Sequence, residues 1–183
     1  MKKVMNLKSL LFCAMLVLTM SLNTVNAQAG ALDYLGHTID GSELTNEMES
    51  IGNYQSVARS TYLHQGFVRI TNNGGGYVGI GAGTECNVTC GTVKLNVYLE
   101  RSSGSEDFYS YKKWENVDYN TSSLYLNQQV KVEKGYYNTN SLYFSKEVKV
   151  EKGYYYRLRG YHSCTKNGVL ENGASRTDGI YIG

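Results

Sequence analysis

The residues with the most chemistry to offer are three cysteines. Cys86, Cys90 and Cys164 remain once Cys13 is assigned to an export segment. An odd set allows one disulfide and leaves one thiol over. In the strand order read below, Cys86 ends one strand and Cys90 begins the next. Cys164 closes a late antiparallel strand, so all three are expected at one pole. Three pairings are open, and a Cys86–Cys90 staple fits as well as a Cys90–Cys164 bridge between strands. His162 lies two residues before Cys164 on the same face and would complete a Cys₃His set of the kind zinc accepts. The spacing is unlike a zinc knuckle, and thiols outside the cell tend to oxidise. The expectation is therefore a disulfide, with no metal and no cofactor.

Aromatic side chains are the second lead. Tyr98, Tyr109, Tyr111 and Trp114 fall on expected strands, and exposed flat rings can stack on sugar or grip a protein. Tyrosine is also an ordinary strand residue, half buried with its hydroxyl wet. Catalysis finds little support. No serine sits in a Gly-x-Ser-x-Gly elbow. The histidines are His37, His64 and His162, and nothing orients any of them as a base. The run Gly74–Gly83 (GGGYVGIGAG) lacks the Lys-Ser/Thr ending of a phosphate loop and no helix follows it. Glu106 and Asp107 belong to a turn, where solvated charge is the ordinary reading. The chain is expected not to be an enzyme.

What must position these groups begins with the amino terminus. Lys2, Lys3 and Lys8 precede an uncharged, mostly apolar run, Leu10 to Leu22, and then Val25-Asn26-Ala27. That order is a signal peptide over residues 1–27, cleaved after Ala27 or else after Ala29. The run is too short for a membrane span, which needs about 20 residues. The chain has 18 basic and 16 acidic side chains. Losing three lysines leaves 15 against 16, a net charge of −1, and no electrostatic reason to expect nucleic acid or an anionic membrane as partner. A secreted or wall-associated protein is expected.

The chain has no proline, 20 glycines and 17 tyrosines. Tyrosine and β-branched residues favour strands, and glycine supplies turns. Residues 28–57 are acidic and aperiodic and read as a flexible leader. From 58 onward strands are expected. Thr61–Leu63 with Phe67–Thr71, then Asn72-Asn73-Gly74-Gly75-Gly76 and Tyr77–Thr84, form a hairpin. Val93, Leu95, Val97 and Leu99 alternate against Lys94, Asn96, Tyr98 and Glu100. Strands over Phe108–Trp114, Tyr154–Cys164 and Gly179–Ile182 complete the set, with a polar loop around Asn167-Gly168 and Asn172-Gly173. Residues 119–136 and 137–154 are tandem copies, identical at 13 of 18 positions. Either both are strands or one is a loop; the even period keeps each side chain on its face. Seven or eight strands at this spacing suggest an all-β, immunoglobulin- or fibronectin-like two-sheet sandwich, with a small barrel as the alternative.

With these residues laid out, the chain resembles a family of small secreted proteins of Gram-positive, clostridia-like bacteria, known only as a domain of unknown function. The likeness rests on Asp40-Gly41-Ser42, Ile70-Thr71-Asn72-Asn73-Gly74 and Val97-Tyr98-Leu99-Glu100-Arg101. It rests most on Gly153-Tyr154-Tyr155-Tyr156-Arg157-Leu158-Arg159-Gly160-Tyr161-His162-Ser163 and the ending Thr177-Asp178-Gly179-Ile180-Tyr181-Ile182. The resemblance implies no activity, cofactor or catalytic residue. The function expected is a non-enzymatic extracellular module binding a protein or glycan. The alternative is a secreted effector or antimicrobial-like protein acting on neighbouring cells.

Overall fold

The computed structural model describes residues 30–55, 60–125 and 146–183. The expected signal peptide and most of the tandem copies lie outside the described residues. The described chain is all-β, as its composition predicts, in ten strands. These are β1 (Thr38–Ile39), β2 (Ser42–Thr45), β3 (Glu49–Gln55), β4 (Leu63–Gly74), β5 (Tyr77–Ser102), β6 (Tyr109–Tyr125), β7 (Lys146–Lys149), β8 (Tyr154–Lys166), β9 (Val169–Arg176) and β10 (Gly179–Ile182). Among the described residues no helix is long and apolar enough to cross a membrane.

All ten strands join one sheet, ordered β1-β2-β10-β8-β5-β4-β3, with β6 and β7 also on β5 and β9 on β8. Its spine is β5. The stretch expected to be two strands separated at Cys86–Cys90 is a single strand of 26 residues. Its first half pairs with β4, from Leu63↔Cys86 to Gly74↔Tyr77. Its second half pairs with β8, from Thr92↔Thr165 to Ser102↔Tyr155. The β5–β6 register breaks between Glu85 and Cys90, which is where β5 changes its partner on the other edge. A bulge increases local twist and bends a strand. The result is one curled, half-barrel sheet, where the sequence reading expected two separate immunoglobulin-like sheets joined by a reversal. Asn87 and Gly91 could have served a turn, but no residue of 85–91 has positive φ and the backbone runs through them as strand.

Curling places the inward side chains of the two halves together. Val68 and Ile70 from β4 and Val78, Ile80 and Ala82 from early β5 pack in one cluster with Leu95, Val97 and Leu99 from late β5. Val148, Val150, Tyr156, Leu158, Ile180 and Ile182 complete it. Aliphatic side chains buried to this degree each contribute about 1.5–3 kcal/mol. A second cluster, Ala31, Leu44, Tyr155 and Tyr181, lies on the other face of β8 and β10.

That second cluster corrects the reading of residues 28–57 as a flexible leader. Residues 38–55 form β1, β2 and β3. Asp40 and Gly41 both have positive φ, 47° and 69°, the geometry of a two-residue hairpin turn, and Asp-Gly is its standard sequence. β2 then pairs in parallel with β10, and β3 pairs along its whole length with β4. Asn167 and Gly168 make a second such turn, φ 51° and 77°. The residues after it, expected as loop through Asn172-Gly173, are strand β9.

The ladder at the tandem copies has an informative register. β6 ends with Tyr125 opposite Gly83, and β7 begins with Lys146 opposite Ile80. Continuing β6 without interruption would set residue 128 opposite Ile80. Lys146 is 18 positions further on, one repeat length. Among the described residues, β7 therefore occupies the place on β5 that its copy-one equivalent would fill. The described parts of the two copies both run antiparallel to β5.

Candidate functional site: an arginine–tyrosine cleft and a three-thiol pole

The thiols meet at one pole as expected, although Cys86 and Cys90 do so at a bend inside β5 and not across a reversal. Cys90 and Cys164 are buried and Cys86 half buried, and their sulfurs all lie within 4.8 Å of one another. Leu63 and Val93 pack with Cys90 and Cys164, and Leu124 packs against them. Desolvation raises the Cys86 thiol well above its ordinary range and pushes Cys164 up to about 12. The fourth zinc ligand considered from sequence is not with them. His162 is fully buried, held between Thr84 Oγ1 at 2.8 Å and Ser175 Oγ at 2.7 Å. Burial pushes its pKa down to about 4. Residue spacing did put His162 and Cys164 on one face; the ring simply finds hydroxyl partners nearer than the sulfurs.

The four aromatic candidates do not form one stripe. Trp114 and Tyr111 are half buried and pack against the main core, Tyr111 edge-on to Tyr156. Tyr109 is exposed but belongs to a knot around Arg101, whose guanidinium lies over Tyr109, Tyr111 and Tyr154 at 5.2, 5.0 and 4.7 Å. Only Tyr98 faces the opposite side, where Tyr161 meets it edge-on at 5.9 Å. A one-residue shift in the β5–β6 ladder between Leu99 and Glu100 moves Tyr111 and its neighbours off the face that simple alternation assigns.

The outer face carrying Tyr98 holds the second constellation. Along β8 the outward residues are Tyr155, Arg157, Arg159 and Tyr161, and each answers a partner across the ladder: Glu100 opposes Arg157, Tyr98 opposes Arg159 and Arg176 opposes Arg159 from β9. Arg157 is almost wholly buried and anchors the set. It donates to Glu100 Oε2 at 2.9 Å, to Asp40 Oδ2 at 2.8 Å and to Ser42 Oγ at 3.0 Å. Its guanidinium lies 4.1 Å from the Phe108 ring centroid. Hydrogen bonding and charge from Arg157 hold the Asp40 carboxyl below its usual range. Arg159 pairs with the other oxygen of Glu100 at 2.8 Å, and Arg176 reaches Asp40 at 3.4 Å.

Beside this network opens a cleft of about 510 Å³, lined by Asp40, Asn53, Arg159, Tyr161, Ser175 and Arg176 among others. Three guanidiniums face two carboxylates, leaving one positive charge. Arg159 and Arg176 sit directly opposite each other, an arrangement of like charges that destabilises a sheet. Nε of Arg159 is buried and has no hydrogen-bond partner, though both arginine side chains keep more than a third of their surface exposed. The guanidinium of Arg176 lies against Gly41, where a Cβ would come within 2.3 Å of it, so the turn residue also shapes the wall.

Sequence reasoning missed this cleft. Arg159, Tyr161 and Arg176 were present as alternating residues, but their convergence needs β9, which read as loop, and the Asp40-Gly41 hairpin, which read as leader. The Asp-Gly pair between Ile39 and Ser42 was the signal that could have found it. No curated protein matches the chain. Residues 33–179 match the model of DUF6147, a family of unknown function, and the chain belongs to that family.

Proposed function

We propose that the chain is an exported, non-enzymatic binding module, secreted or wall-associated in a Gram-positive type of cell, and that its cleft takes an acidic glycan. The observation that carries the reading is the opposed pair Arg159 and Arg176 at the cleft wall. Guanidinium groups bind carboxylates in bidentate fashion. An arginine pair left facing each other gains most from an anion set between them. Tyr161 adds an exposed ring, 47% accessible, of the kind that stacks on the apolar face of a sugar, and exposed Asn53 adds a polar amide for hydroxyls. A carboxylate-bearing saccharide uses all of these at once.

The test is calorimetric titration of the processed protein with a uronic-acid oligosaccharide, a neutral oligosaccharide of equal length and an acidic peptide. The uronate is expected to bind, with affinity reduced at least tenfold by Arg176→Gln and by Tyr161→Ala, and weakened by salt as exposed charge pairs are. Equal binding of neutral and acidic sugar, or indifference to both substitutions, ends the proposal. Tighter binding of the acidic peptide replaces the glycan with a protein partner. The intact mass of the exported protein checks cleavage after Ala27.

A further inference from the structure

We infer that Cys86, Cys90 and Cys164 form a shared redox site, in which any two can make the disulfide and the third is a resident thiol able to move it. The site is independent of the cleft. Each pair of sulfurs lies within 4.8 Å, so reaching the S–S bond length of about 2.05 Å asks each pair to close by under about 3 Å. No pair is excluded by distance. The Cys90 thiol spends its proton on Val88 O at 3.4 Å, within its own bend, and the thiols otherwise face one another and an apolar wall.

The surroundings favour disulfide chemistry over metal binding. Among the described residues no histidine or carboxylate joins the three sulfurs as a fourth ligand. The carboxylate acting on Cys164 is Glu171, and it is already engaged. It accepts from Ser60 Oγ and from the backbone N–H groups of Thr61, Tyr62 and Leu63. Burial keeps the Cys86 and Cys164 thiols protonated, which slows exchange, because the thiolate is the attacking species.

The chemistry balances with a small-molecule disulfide such as oxidised glutathione as oxidant. Two protein thiols give up two electrons and two protons as their S–S bond forms. The glutathione S–S bond breaks and leaves as two thiols. In the second step the remaining thiol, as thiolate, attacks one sulfur of the new bond, and the displaced sulfur departs as thiolate and takes up the proton. The pairings are not equivalent mechanically. Cys86 and Cys90 flank the break in the β5–β6 ladder, so a bond between them is confined to the bend. A bond to Cys164, which lies opposite Val93 on β8, ties the bend to the strand that carries the arginine cleft.

The test oxidises the processed protein, which no longer carries Cys13, with oxidised glutathione and maps disulfides by peptide mass after trapping free thiols. The expected result is loss of two hydrogens, one trapped thiol and more than one pairing in the same sample. Each of the variants Cys86→Ser, Cys90→Ser and Cys164→Ser is expected to lose two hydrogens as well, since the remaining pair is always in reach. One fixed pairing in the wild type overturns the inference, and so does a folded single variant whose two remaining thiols stay reduced. The wild-type map needs no variant, so a substitution that fails to fold leaves the test decisive.

Discussion

The two halves of β5 present the same inward face and opposite outward faces. Inward, Val78, Ile80 and Ala82 match Val93, Leu95, Val97 and Leu99, and all are buried in the same sense. Outward, the first half offers Gly79, Gly81 and Gly83, whereas the second offers Asn96, Tyr98 and Glu100. A Cβ at Gly79 would come within 2.3 Å of Thr71 Oγ1, so at that position the space over β5 is taken by side chains of the neighbouring strand. The second half meets β8 and β9 there and builds the ion network and the cleft. The interior alternation makes the fold, and the side chains on the other face decide which end of the molecule can bind anything.

The largest difference between the halves is expected in their Arg–Glu pairs. Glu100 of the second half and Arg157, opposite it on β8, are both nearly inaccessible, at 4% and 2% of side-chain surface. Arg69 and Glu49, beside the first half, pair in solvent at 48% and 38%. Removing one member of a buried pair leaves an uncompensated charge and costs about 3–5 kcal/mol, whereas an exposed pair contributes about 0.2–1 kcal/mol. Arg157→Met is therefore expected to lower the urea midpoint severely and Arg69→Ala hardly at all. Equal effects from the two substitutions would erase the contrast.

Next in size is a pH effect at the seam between the halves, where His162 bridges Thr84 of β5 and Ser175 of β9. A histidine whose folded pKa is lowered to about 4 from an ordinary value near 6.5 takes its proton in the unfolded chain first. Stability is then complete above the unfolded value and falls as pH drops from about 6.5 toward 4, by about 3 kcal/mol in all. The lowered carboxyl of Asp40 adds its own loss only below the ordinary range of aspartate, near pH 4. Urea denaturation at pH 7, 6 and 5 measures the slope, and a His162→Gln protein is expected to lose it. A wild type equally stable at pH 7 and 5 would mean the ring accepts its proton while buried.

Much of the fold was legible because alternation is local. Val93 to Leu99, the glycine turn after Asn73 and the strands from Tyr154 and Gly179 all declare themselves within a few residues. The misreadings have a common physical origin. Whether Cys86 to Cys90 reverses the chain or bends a continuing strand depends on partners 20 to 80 residues away, Leu63 on one side and Cys164 on the other. Whether residues 38–45 are leader or strand depends on β10, at the far end of the sequence. The thiol pole was legible in its members but not in its cause, because only Cys164 lies near a strand end, whereas Cys86 and Cys90 sit at a bend inside β5. The arginine cleft was not, because Arg159 and Arg176 oppose each other only once β9 is a strand, and no spacing rule relates residues on two edges of one sheet.

The smallest expected effect tests the register at the tandem copies. Because β7 sits 18 positions out of sequence with β6 yet in phase with the ladder, joining Asn127 directly to Lys146 removes one repeat length without moving a ladder pair. Leu124 and Val148, opposite Thr84 and Val78, keep the core face, since an even shift preserves it. Closing a shorter connection costs less entropy, growing only with the logarithm of length, so deletion of residues 128–145 is expected to leave stability unchanged or raise it by at most about 2 kcal/mol. An odd deletion, of residues 128–144, puts Val148 on the wrong face and is expected to cost more than a kilocalorie per mole, as for any buried valine sent to solvent. If the even and odd deletions proved equally harmless, β7 would contribute nothing to the core. If both were equally damaging, the duplicated segment would be structural in its own right, and the reading of β7 in the place of its copy-one equivalent would fail.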